Sequence, residues 1–436
     1  MISLFTGAGG LDYGFEAAGF RTDIAVEIDH DCCETIQANR EWPLINKDIH
    51  ETTSREILDT AGLTVGDVDL IIGGPPCQPF SKSGYWVNGS TARLDDPRAD
   101  TLYAYMRCVA DILPQVFLLE NVHGINYSGK EDGFRLIEAL TKEINHKSGT
   151  NYRLSWQVVN AADFGIPQTR RRFFLVAHRD GKIFKFPAQT HAPLDENCDL
   201  LDEEDRLVEE ENHLQTTPSL QKSLFQSDLI SYVTAWDAIG GLDLAAGEDL
   251  KIRGKWADLL PSIPEGQNYL WHTNRKEGVP LFGWRTRYWS FLLKLAKNRP
   301  SWTIQAQPGP SIGPFHWANR LLSVSEMARL QTFPKDIIFC GNRTSIQSQT
   351  GNAVPSLMSE IIAREIASQF FDRLITRPLQ FAIDLQRPIP SPEPAYPVPE
   401  KYLGFRGEHP DHPGEGKGPG VSKRLTKSRA RFMLVN

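Results

Sequence analysis

Short apolar runs alternate with amphipathic stretches along residues 1–181 of the chain. The run Leu70-Ile71-Ile72 has no polar alternation, which is typical of a strand buried on both faces of a parallel sheet. Alternating strands and helices predict an α/β fold. The predicted strands are 2–5, 22–26, 44–46, 70–72, 116–119, 152–160 and 172–177, and the predicted helices are 11–18, 31–39, 101–113 and 134–145.

The α/β pattern stops at residue 182. From 182 to 318, prolines, glycines, acids and tryptophans are mixed without a strand–helix rhythm, so we interpret this stretch as an irregular domain inserted into the first. Five of its tryptophans are interleaved with arginines and lysines, a combination that suits nucleic-acid contact and a small core equally well. These tryptophans are Trp256, Trp271, Trp284, Trp289 and Trp302.

Helical periodicity returns at 321–332, with Ser323 or Ser325 as the amino cap, and at 356–371. From about Arg377 the chain is rich in proline and glycine, and its end is basic, so we expect a mostly flexible tail. The predicted organisation is a catalytic and cofactor-binding domain at 1–181, an insertion at 182–318, a return segment at 319–371 that completes the first domain, and a tail at 372–436.

Composition adds few constraints. The chain has 436 residues and a formal net charge of −7, which argues only weakly against a nucleic-acid partner because charge is segregated. The stretch 195–211 is acidic, whereas 170–172 and the end of the chain are basic. The six cysteines show no zinc-type spacing, so we predict no structural metal. We find no signal peptide and no membrane-spanning run, and we expect a cytoplasmic protein.

A glycine turn follows the first predicted strand. Gly7 and Gly9 would let the backbone approach a nucleotide-like ligand, and the helix after them would present its amino end. The next strand leads to Glu27, about twenty positions on, the spacing that places a carboxylate on ribose hydroxyls. The third glycine of the dinucleotide fingerprint is missing, and a simple tight connection is the alternative interpretation.

The stretch around Cys77 is the most informative part of the chain. Gly73 and Gly74 end a buried strand, and Pro75 and Pro76 stiffen the turn that carries Cys77. A thiol on a rigid turn at the carboxyl end of a parallel strand is well placed to act as a nucleophile. The alternative is a small buried apolar side chain, but the residues that follow Cys77 are mostly polar.

Two other stretches add to this site. The strand 116–119 leads to Glu120, which would reach the same sheet edge as Cys77 and could serve as an acid, or could cap a helix. The arginines at 170–172 are costly to bury without an anion or acceptor, although a solvated turn is the alternative. The polar stretch 81–96 is long for a strand–helix loop and suits a lid.

Together these motifs resemble the DNA (cytosine-5) methyltransferases, which use S-adenosyl-L-methionine. The resemblance covers most of residues 1–371, and the motifs occur in the order typical of the family. They are Phe5-Thr-Gly7-Ala-Gly9, Glu27, Asp48-Ile49, Pro75-Pro76-Cys77-Gln78, Glu120-Asn121-Val122, Gln168-Thr-Arg170-Arg-Arg172, the stretch 320–334 and Gly351-Asn352-Ala353-Val354-Pro355.

The resemblance implies a Rossmann-like seven-stranded mixed sheet, with 182–318 as the target-recognition domain. It implies a nucleophile, Cys77, and an acid, Glu120, with Arg170 or, preferably, Arg172 holding the base. Contacts with duplex DNA would come from Gln78, Ser81, Ser83 and Gln168. Contacts with S-adenosyl-L-methionine would come from Phe5, Gly7, Gly9, Leu11, Glu27, Ile28, Asp48, Ile49, Pro75, Leu102, Asn352, Ala353 and Val354.

The expected protein is a monomeric, nucleoid-associated modification enzyme that works beside restriction or phage-defence proteins. One alternative is the same chemistry on tRNA, but the Cys-Phe-Thr element of those relatives is missing. A non-catalytic DNA-binding relative would not need Cys77 and Glu120. A nicotinamide oxidoreductase would share the first strand–helix–strand unit only. The target DNA sequence does not follow from the residues, because no transferable recognition code covers this type of insertion.

Overall fold

The computed structural model describes residues 1–76, 100–123, 132–193, 229–243, 247–283, 287–386 and 388–407. Cys77, Gln78, Ser81, Ser83, the predicted lid and the acidic stretch lie outside these ranges. Within them, no helix combines the length and the apolar character needed to cross a membrane.

The centre of the molecule is a seven-stranded sheet in the order β3-β2-β1-β4-β5-β8-β6. The five neighbouring strands β3, β2, β1, β4 and β5 pair in parallel, whereas β8 runs antiparallel to both β5 and β6. The predicted α/β fold and its mixed sheet are therefore confirmed. The strands are β1 (Ile2–Leu4), β2 (Ile24–Glu27), β3 (Leu44–Asn46), β4 (Leu70–Gly73), β5 (Val116–Val122), β6 (Arg153–Asn160), β7 (Gln168–Thr169), β8 (Arg171–His178), β9 (His191–Ala192), β10 (Ile230–Ser231) and β11 (Ser301–Trp302).

Helices cover both faces of this sheet. The helices of the described residues are α1 (Gly10–Ala17), α2 (His30–Asn39), α3 (Ser54–Ala61), α4 (Asp100–Ile112), α5 (Asp132–Ser148), α6 (Ala235–Ile239), α7 (Val324–Leu330), α8 (Arg343–Asn352), α9 (Ser356–Phe371) and α10 (Glu400–Leu403), of which α6 and α10 pack in cores away from this sheet. In β4, Leu70 and Ile72 pack into the core beneath α1 and α9, whereas Ile71 packs into the core beneath α4 and α5. Burial on both faces explains why this run contains no polar residue.

Several predicted boundaries were wrong. Strand β5 continues to Val122, so Glu120 lies within the strand rather than after it. Helix α3 was not predicted, although Thr53 caps its start and the left-handed Gly62 ends it. Helix α7 is shorter than the predicted 321–332 and begins after Ser323, which forms a capping box with Glu326. The predicted turn at 351–355 begins inside α8.

The two ends of the α/β domain meet in space. Thr35 on α2 donates a hydrogen bond to Gln349 on α8 over 2.8 Å, across a separation of 314 residues. Helix α9 packs on α1 so closely that a Cβ atom at Gly14 would lie 2.3 Å from Cβ of Ser359 and 2.4 Å from the nitrogen of Glu360. The return segment therefore completes the core that the first strands and helices begin.

Replacing Gly14 with alanine is expected to lower the thermal midpoint of unfolding by several degrees, because overpacking costs about 1–3 kcal/mol or more. The neighbouring atoms at Ser359 and Glu360 belong to the helix itself and cannot move aside as a flexible side chain does. Scanning calorimetry measures the effect. The control is Gly404→Ala, since no atom lies within 4 Å of a Cβ placed there. Equal midpoints for both variants would contradict the proposed tight contact between the helices.

The insertion has cores of its own. Trp302 is buried in one of them, and Trp256 and Trp271 pack against another, so these tryptophans serve as core residues. Residues from the return segment, Leu322 and Met327, share the first of these cores with the insertion.

The tail differs from the prediction. We expected residues 372–436 to be flexible, but the described part up to residue 407 places Phe381, Ile383 and Tyr402 in buried positions. The prediction was wrong for this part because a proline-rich composition does not show which few apolar side chains find a partner.

Candidate active site

The glycine turn after β1 is wound into the left-handed region of backbone space. Gly7 and Gly9 have φ angles of 56° and 81°, and Phe5 has a φ of 55°. A Cβ atom at Gly7 would meet nothing within 4 Å, so the backbone here borders open space. At Gly10, by contrast, a Cβ atom would lie 2.5 Å from the carbonyl oxygen of Val354.

The contact at Gly10 brings two predicted cofactor motifs together from opposite ends of the chain. Ala353 and Val354 lie directly against the turn that contains Gly9. The sequence alone does not indicate this role of Gly10, because its neighbour Val354 is more than 340 positions away in the chain. Asn352, beside this contact, is exposed.

Glu27 closes the other side of the turn. Its Oε2 accepts a hydrogen bond from the Gly7 amide over 2.7 Å, and its Oε1 accepts one from the Asp29 amide over 2.8 Å. Burial raises the pKa of the Glu27 carboxyl, and these two N–H donors oppose that shift. Ile28, next in the chain, is 61% exposed. A carboxylate beside an exposed apolar side chain can hold a ribose and the flat base attached to it.

A second cluster lies at the edge where β4 and β5 end. Gly73 pairs with Leu119, so the chain that leaves β4 passes directly beside Glu120. A Cβ atom at Gly74 would lie 2.9 Å from Oε2 of Glu120. Glycine at position 74 therefore leaves the room that the carboxyl group occupies.

The turn beyond Gly74 is held at two points. The side-chain amide of Asn121 donates to the carbonyl of Pro75 over 3.1 Å. The hydroxyl of Thr101 donates to the carbonyl of Pro76 over 2.9 Å. Both hydrogen bonds therefore hold the part of the turn that directly precedes the predicted nucleophile in sequence.

Glu120 is paired with an arginine from the neighbouring strand. Nε of Arg172 lies 3.1 Å from Oε1 of Glu120, and both side chains are largely buried. Burial raises the pKa of the Glu120 carboxyl, while the charges of Arg172 and Arg170 act in the opposite direction. Burial therefore favours the protonated form of this carboxyl, whereas the two arginines favour its ionised form. Because Glu120 lies in mid-strand, the alternative that it caps a helix is wrong.

Comparisons with known proteins identify the family of the chain. The family model of the C-5 cytosine-specific DNA methylases matches residues 1–368. The chain belongs to this family. It is 37% identical over 393 residues to the Type II methyltransferase M.SacI of Streptomyces achromogenes, which covers 85% of this chain and 93% of that protein. It is 31% identical over 379 residues to the Type II methyltransferase M.NgoFVII of Neisseria gonorrhoeae, covering 85% of this chain and 87% of that protein.

Solved structures agree with the family assignment. A structure described as a DNA modification methyltransferase encoded within an E. coli prophage has a TM-score of 0.53 and 25% identity, covering 85% of this chain and 99% of that one. A mutant of DNMT2 from Spodoptera frugiperda has a TM-score of 0.53 at 14% identity, covering 84% of this chain and 98% of that one, and shows the fold alone. The resemblance read from the sequence is thus confirmed.

Arg170 and Arg172, the two arginines that we predicted could hold the target base of this methylase, make different contacts. Arg172 contacts Glu120, whereas Arg170 is almost completely buried and donates from Nη2 to the carbonyl of Gly351 over 2.8 Å. Arg170 therefore ties the start of β8 to α8, and Arg172 is the arginine that adjoins the acid.

Gln168 does not occupy the place expected of a DNA-binding residue in this methylase. It is fully buried, and its Nε2 donates to the carbonyl of Leu330 and to Oε1 of Gln331. Its Oε1 accepts from the Ile304 amide over 3.2 Å. The expectation was wrong because every hydrogen-bonding atom of the side-chain amide is used inside the protein, where it joins β7 to the insertion and to α7.

Several residues that we predicted to contact the cofactor are buried in the cores on the two faces of the sheet. Leu102 is completely buried, and Leu11 and Ile49 are nearly so, in the cores that flank the sheet. Asp48 accepts a hydrogen bond at Oδ1 from the His50 amide over 2.9 Å and is partly exposed. Of these four, Asp48 alone offers a polar group at the surface.

Metal-ligating side chains come together elsewhere in the described part of the methylase. His30, Asp31 and Glu34 have their ligand atoms within 4.8 Å of one another near the start of α2. Two of the three are exposed, and exposed acidic groups of this kind are common without an ion. We assign no metal to them.

The methylase also contains an acid that the sequence analysis missed. Asp12 on α1 is fully buried, and among the described residues neither carboxyl oxygen is in hydrogen-bonding geometry with a partner. Burial raises the pKa of Asp12 from 3.8 to about 7, although Ser3 opposes the shift. The position of Asp12, three residues after Gly9, does not by itself indicate that its carboxyl group is buried.

Replacing Asp12 with asparagine is expected to raise the thermal midpoint at pH 8 and to leave it unchanged near pH 4. The folded protein binds the proton more tightly than the unfolded chain, so stability falls as the pH rises from about 4 to 7. Above pH 7 the buried carboxylate costs a few kcal/mol, which the neutral amide avoids. Thermal scans at both pH values test this. Asp59→Asn, at an exposed position on α3, is the control. An equal rise in the thermal midpoint of Asp12→Asn at both pH values would contradict a cost that arises from ionisation of Asp12.

Proposed function

We propose that this methylase transfers a methyl group from S-adenosyl-L-methionine to carbon 5 of a flipped-out cytosine in a short, specific duplex DNA sequence. The observation that carries the proposal is the buried Glu120–Arg172 pair beside Gly74, on the turn that leads to Cys77. This pairing supplies an acid and a cation next to a nucleophile, and that is the set of groups that cytosine C5 chemistry requires.

The residues around the glycine turn fit S-adenosyl-L-methionine. Open space borders Gly7, and the Glu27 carboxylate beside it retains lone pairs that can accept hydrogen bonds from ribose hydroxyls. The exposed Ile28 would pack on the adenine, with Asp48 nearby as a polar contact. When bound, S-adenosyl-L-methionine supplies an electrophilic methyl group on a sulfonium centre.

The residues of the chain would make the cytosine reactive. Carbon 5 is a weak nucleophile in the intact ring. Addition of the Cys77 thiolate to carbon 6 forms a carbon–sulfur bond and moves an electron pair of the ring toward N3, where Glu120 donates its proton. Carbon 5 of the resulting enamine is nucleophilic. After methylation a base removes the proton on carbon 5, the bond between carbon 6 and the Cys77 sulfur breaks as the 5,6 double bond re-forms, and N3 returns its proton to Glu120.

Arg172 would act beside the acid. Its guanidinium can donate to the carbonyl oxygen of cytosine while Nε stays within reach of Glu120. General acid catalysis of this kind contributes about 10²–10⁴-fold to a rate. Burial raises the pKa of the Glu120 carboxyl and so favours the form that can donate a proton, while the reactive form of Cys77 is the thiolate.

Access to carbon 6 requires that the cytosine leave the base stack. We infer that the insertion at 182–318 reads the sequence around the target, and that the stretch 81–96, with Ser81 and Ser83, closes over the flipped base. The named relatives are Type II methyltransferases, which supports a role in a restriction-modification system. We expect a monomer that works with cognate restriction or defence proteins.

Methylation sequencing tests the proposal. Genomic DNA would be read at single-base resolution from a methylation-free host that expresses the chain, beside the same host with an empty vector. We expect 5-methylcytosine within one short sequence context only. Purified protein that binds S-adenosyl-L-methionine yet marks no DNA context would overturn the proposed substrate, and transfer RNA would then be assayed.

A further inference from the structure

The stretch 377–407, which we call the strap, lies outside the part of the chain that matches the family model, which ends at residue 368. We propose that the strap positions the inserted domain over the active site, and that Tyr402 is its main anchor. The role assigned to the insertion rests on the proposed function.

The strap begins on the catalytic domain. The buried carboxylate of Glu360 on α9 accepts hydrogen bonds from the amides of Gln380 and Phe381. Arg364 donates to the carbonyls of Arg377 and Pro378 over 2.6 and 2.8 Å. The Phe381 side chain lies in the core beneath α1 and α9. This end of the strap is therefore fixed to the helix that completes the methylase sheet.

The strap then crosses to the insertion. Ile383 enters the core that Trp302 of the insertion shares with Met327 of the return segment. The amide of Gln386 donates to Oδ1 of Asp237 on α6 over 2.7 Å, and its side chain donates to the Asp237 carbonyl.

A buried lysine of the insertion depends on the strap. The side chain of Lys297 is 4% exposed, and its three donors go to Glu265 at 2.8 Å, the carbonyl of Ser391 at 3.1 Å and Glu393 at 2.9 Å. Two of these three acceptors belong to the strap. Without them a buried ammonium group would keep a single partner, which is a costly arrangement.

The far end of the strap completes another core of the insertion. The ring of Tyr402 is buried and stacks on Trp256 at a centroid distance of 5.4 Å and an angle of 17°. Its hydroxyl donates to the carbonyl of Lys255 over 2.8 Å. One continuous segment thus places Phe381, Ile383 and Tyr402 in separate cores, one in the catalytic domain and two in or next to the insertion.

A segment that joins these cores fixes the angle between the two domains. Loss of the far anchor would let the insertion tilt without changing the residues that carry out the chemistry. DNA contacts the insertion, whereas S-adenosyl-L-methionine contacts the catalytic domain. Weakening the strap should therefore affect the KM for DNA more than kcat or the Kd for S-adenosyl-L-methionine.

The test compares two tyrosines of the strap in the full-length chain. Tyr402→Ala should raise the KM for duplex DNA roughly tenfold to fiftyfold, while kcat and the Kd for S-adenosyl-L-methionine stay within about twofold. Tyr396→Ala is the matched control, because that side chain is 59% exposed. Tyr402→Phe keeps the stack on Trp256 and should behave nearly as the native chain.

An unchanged KM in Tyr402→Ala, or equal losses in KM, kcat and cofactor affinity, would overturn the positioning role. Hydrogen exchange gives a second readout that needs no activity. Tyr402→Ala should exchange faster over 250–282 and normally over 1–60, whether or not the protein methylates DNA. Unchanged exchange over 250–282 in Tyr402→Ala would overturn the role of the strap. Fast exchange in this variant, together with no methylation by the native chain, would overturn only the proposed function. Should Tyr402→Ala not fold, Glu393→Ala, which removes one partner of Lys297, takes its place with the same expected pattern.

Discussion

Replacing Cys77 with serine is expected to reduce methyl transfer by roughly 10⁴-fold or more, with the affinity for S-adenosyl-L-methionine unchanged. A few per cent of an ordinary thiol is ionised at pH 7, whereas a serine hydroxyl is almost never ionised there. The acid, the arginine and the cofactor residues all remain in the variant, so the loss isolates the nucleophile.

Transfer of a radioactive methyl group to a duplex measures this loss under single-turnover conditions. Cys340→Ser is the matched control, since Cys340 is a partly exposed free thiol whose backbone bonds to the side chains of Thr35 and Gln349. A duplex with 5-fluorocytosine at the target adds a direct test, because fluorine cannot leave as a proton does and the adduct with Cys77 should persist in denaturing gels. An adduct of equal yield with the serine variant would rule out Cys77 as the nucleophile.

Glu120→Gln is the change with the second largest expected effect, a fall in the transfer rate of about 10²–10⁴-fold. The amide can still donate a hydrogen bond to N3 of cytosine but cannot give up a proton. In the native enzyme the rate should also decline as the pH rises through the raised pKa of Glu120, because the acid must be protonated to act. The variant should lack this decline.

Rate profiles between pH 5.5 and 9.5 for both proteins check this prediction. Glu143→Gln is the control, since Glu143 is exposed on α5 and pairs with Lys147 in the same helix. The Kd for S-adenosyl-L-methionine should be the same in all three proteins. An identical alkaline decline in the Gln variant would assign the titration to another group.

The sequence predicted the sheet well because its central strands are buried on both faces. Leu70 to Ile72 and Val116 to Leu119 consist of apolar residues for that reason, and such runs are visible without any structure. The acid at the edge was equally visible, since Glu120 interrupts an apolar run. Glu27 was predicted from its spacing to the glycines, and the structure places its carboxyl on the Gly7 amide.

Other features depend on contacts that no local pattern records. Gly10 and Gly14 are required by residues of the return segment, and Gln168 is buried by Leu330 and Ile304. The polar residues from Gln168 to Arg172 suggested a functional motif, yet the Gln168 side chain forms its hydrogen bonds inside the protein. Tyr402 was missed for a related reason, because its partner Trp256 lies in an insertion without periodicity.

The packing of α9 on α1 has a consequence for synthesis of the protein. Ribosomes add about 5–20 residues per second, so the 314 residues between Thr35 and its partner Gln349 take roughly 15–60 s to translate. During that time α1 lacks the helix that packs on it, because α9 follows Gln349 in the chain. A chain that ends within the insertion therefore lacks Ala353 and Val354 and cannot make the contact at Gly10.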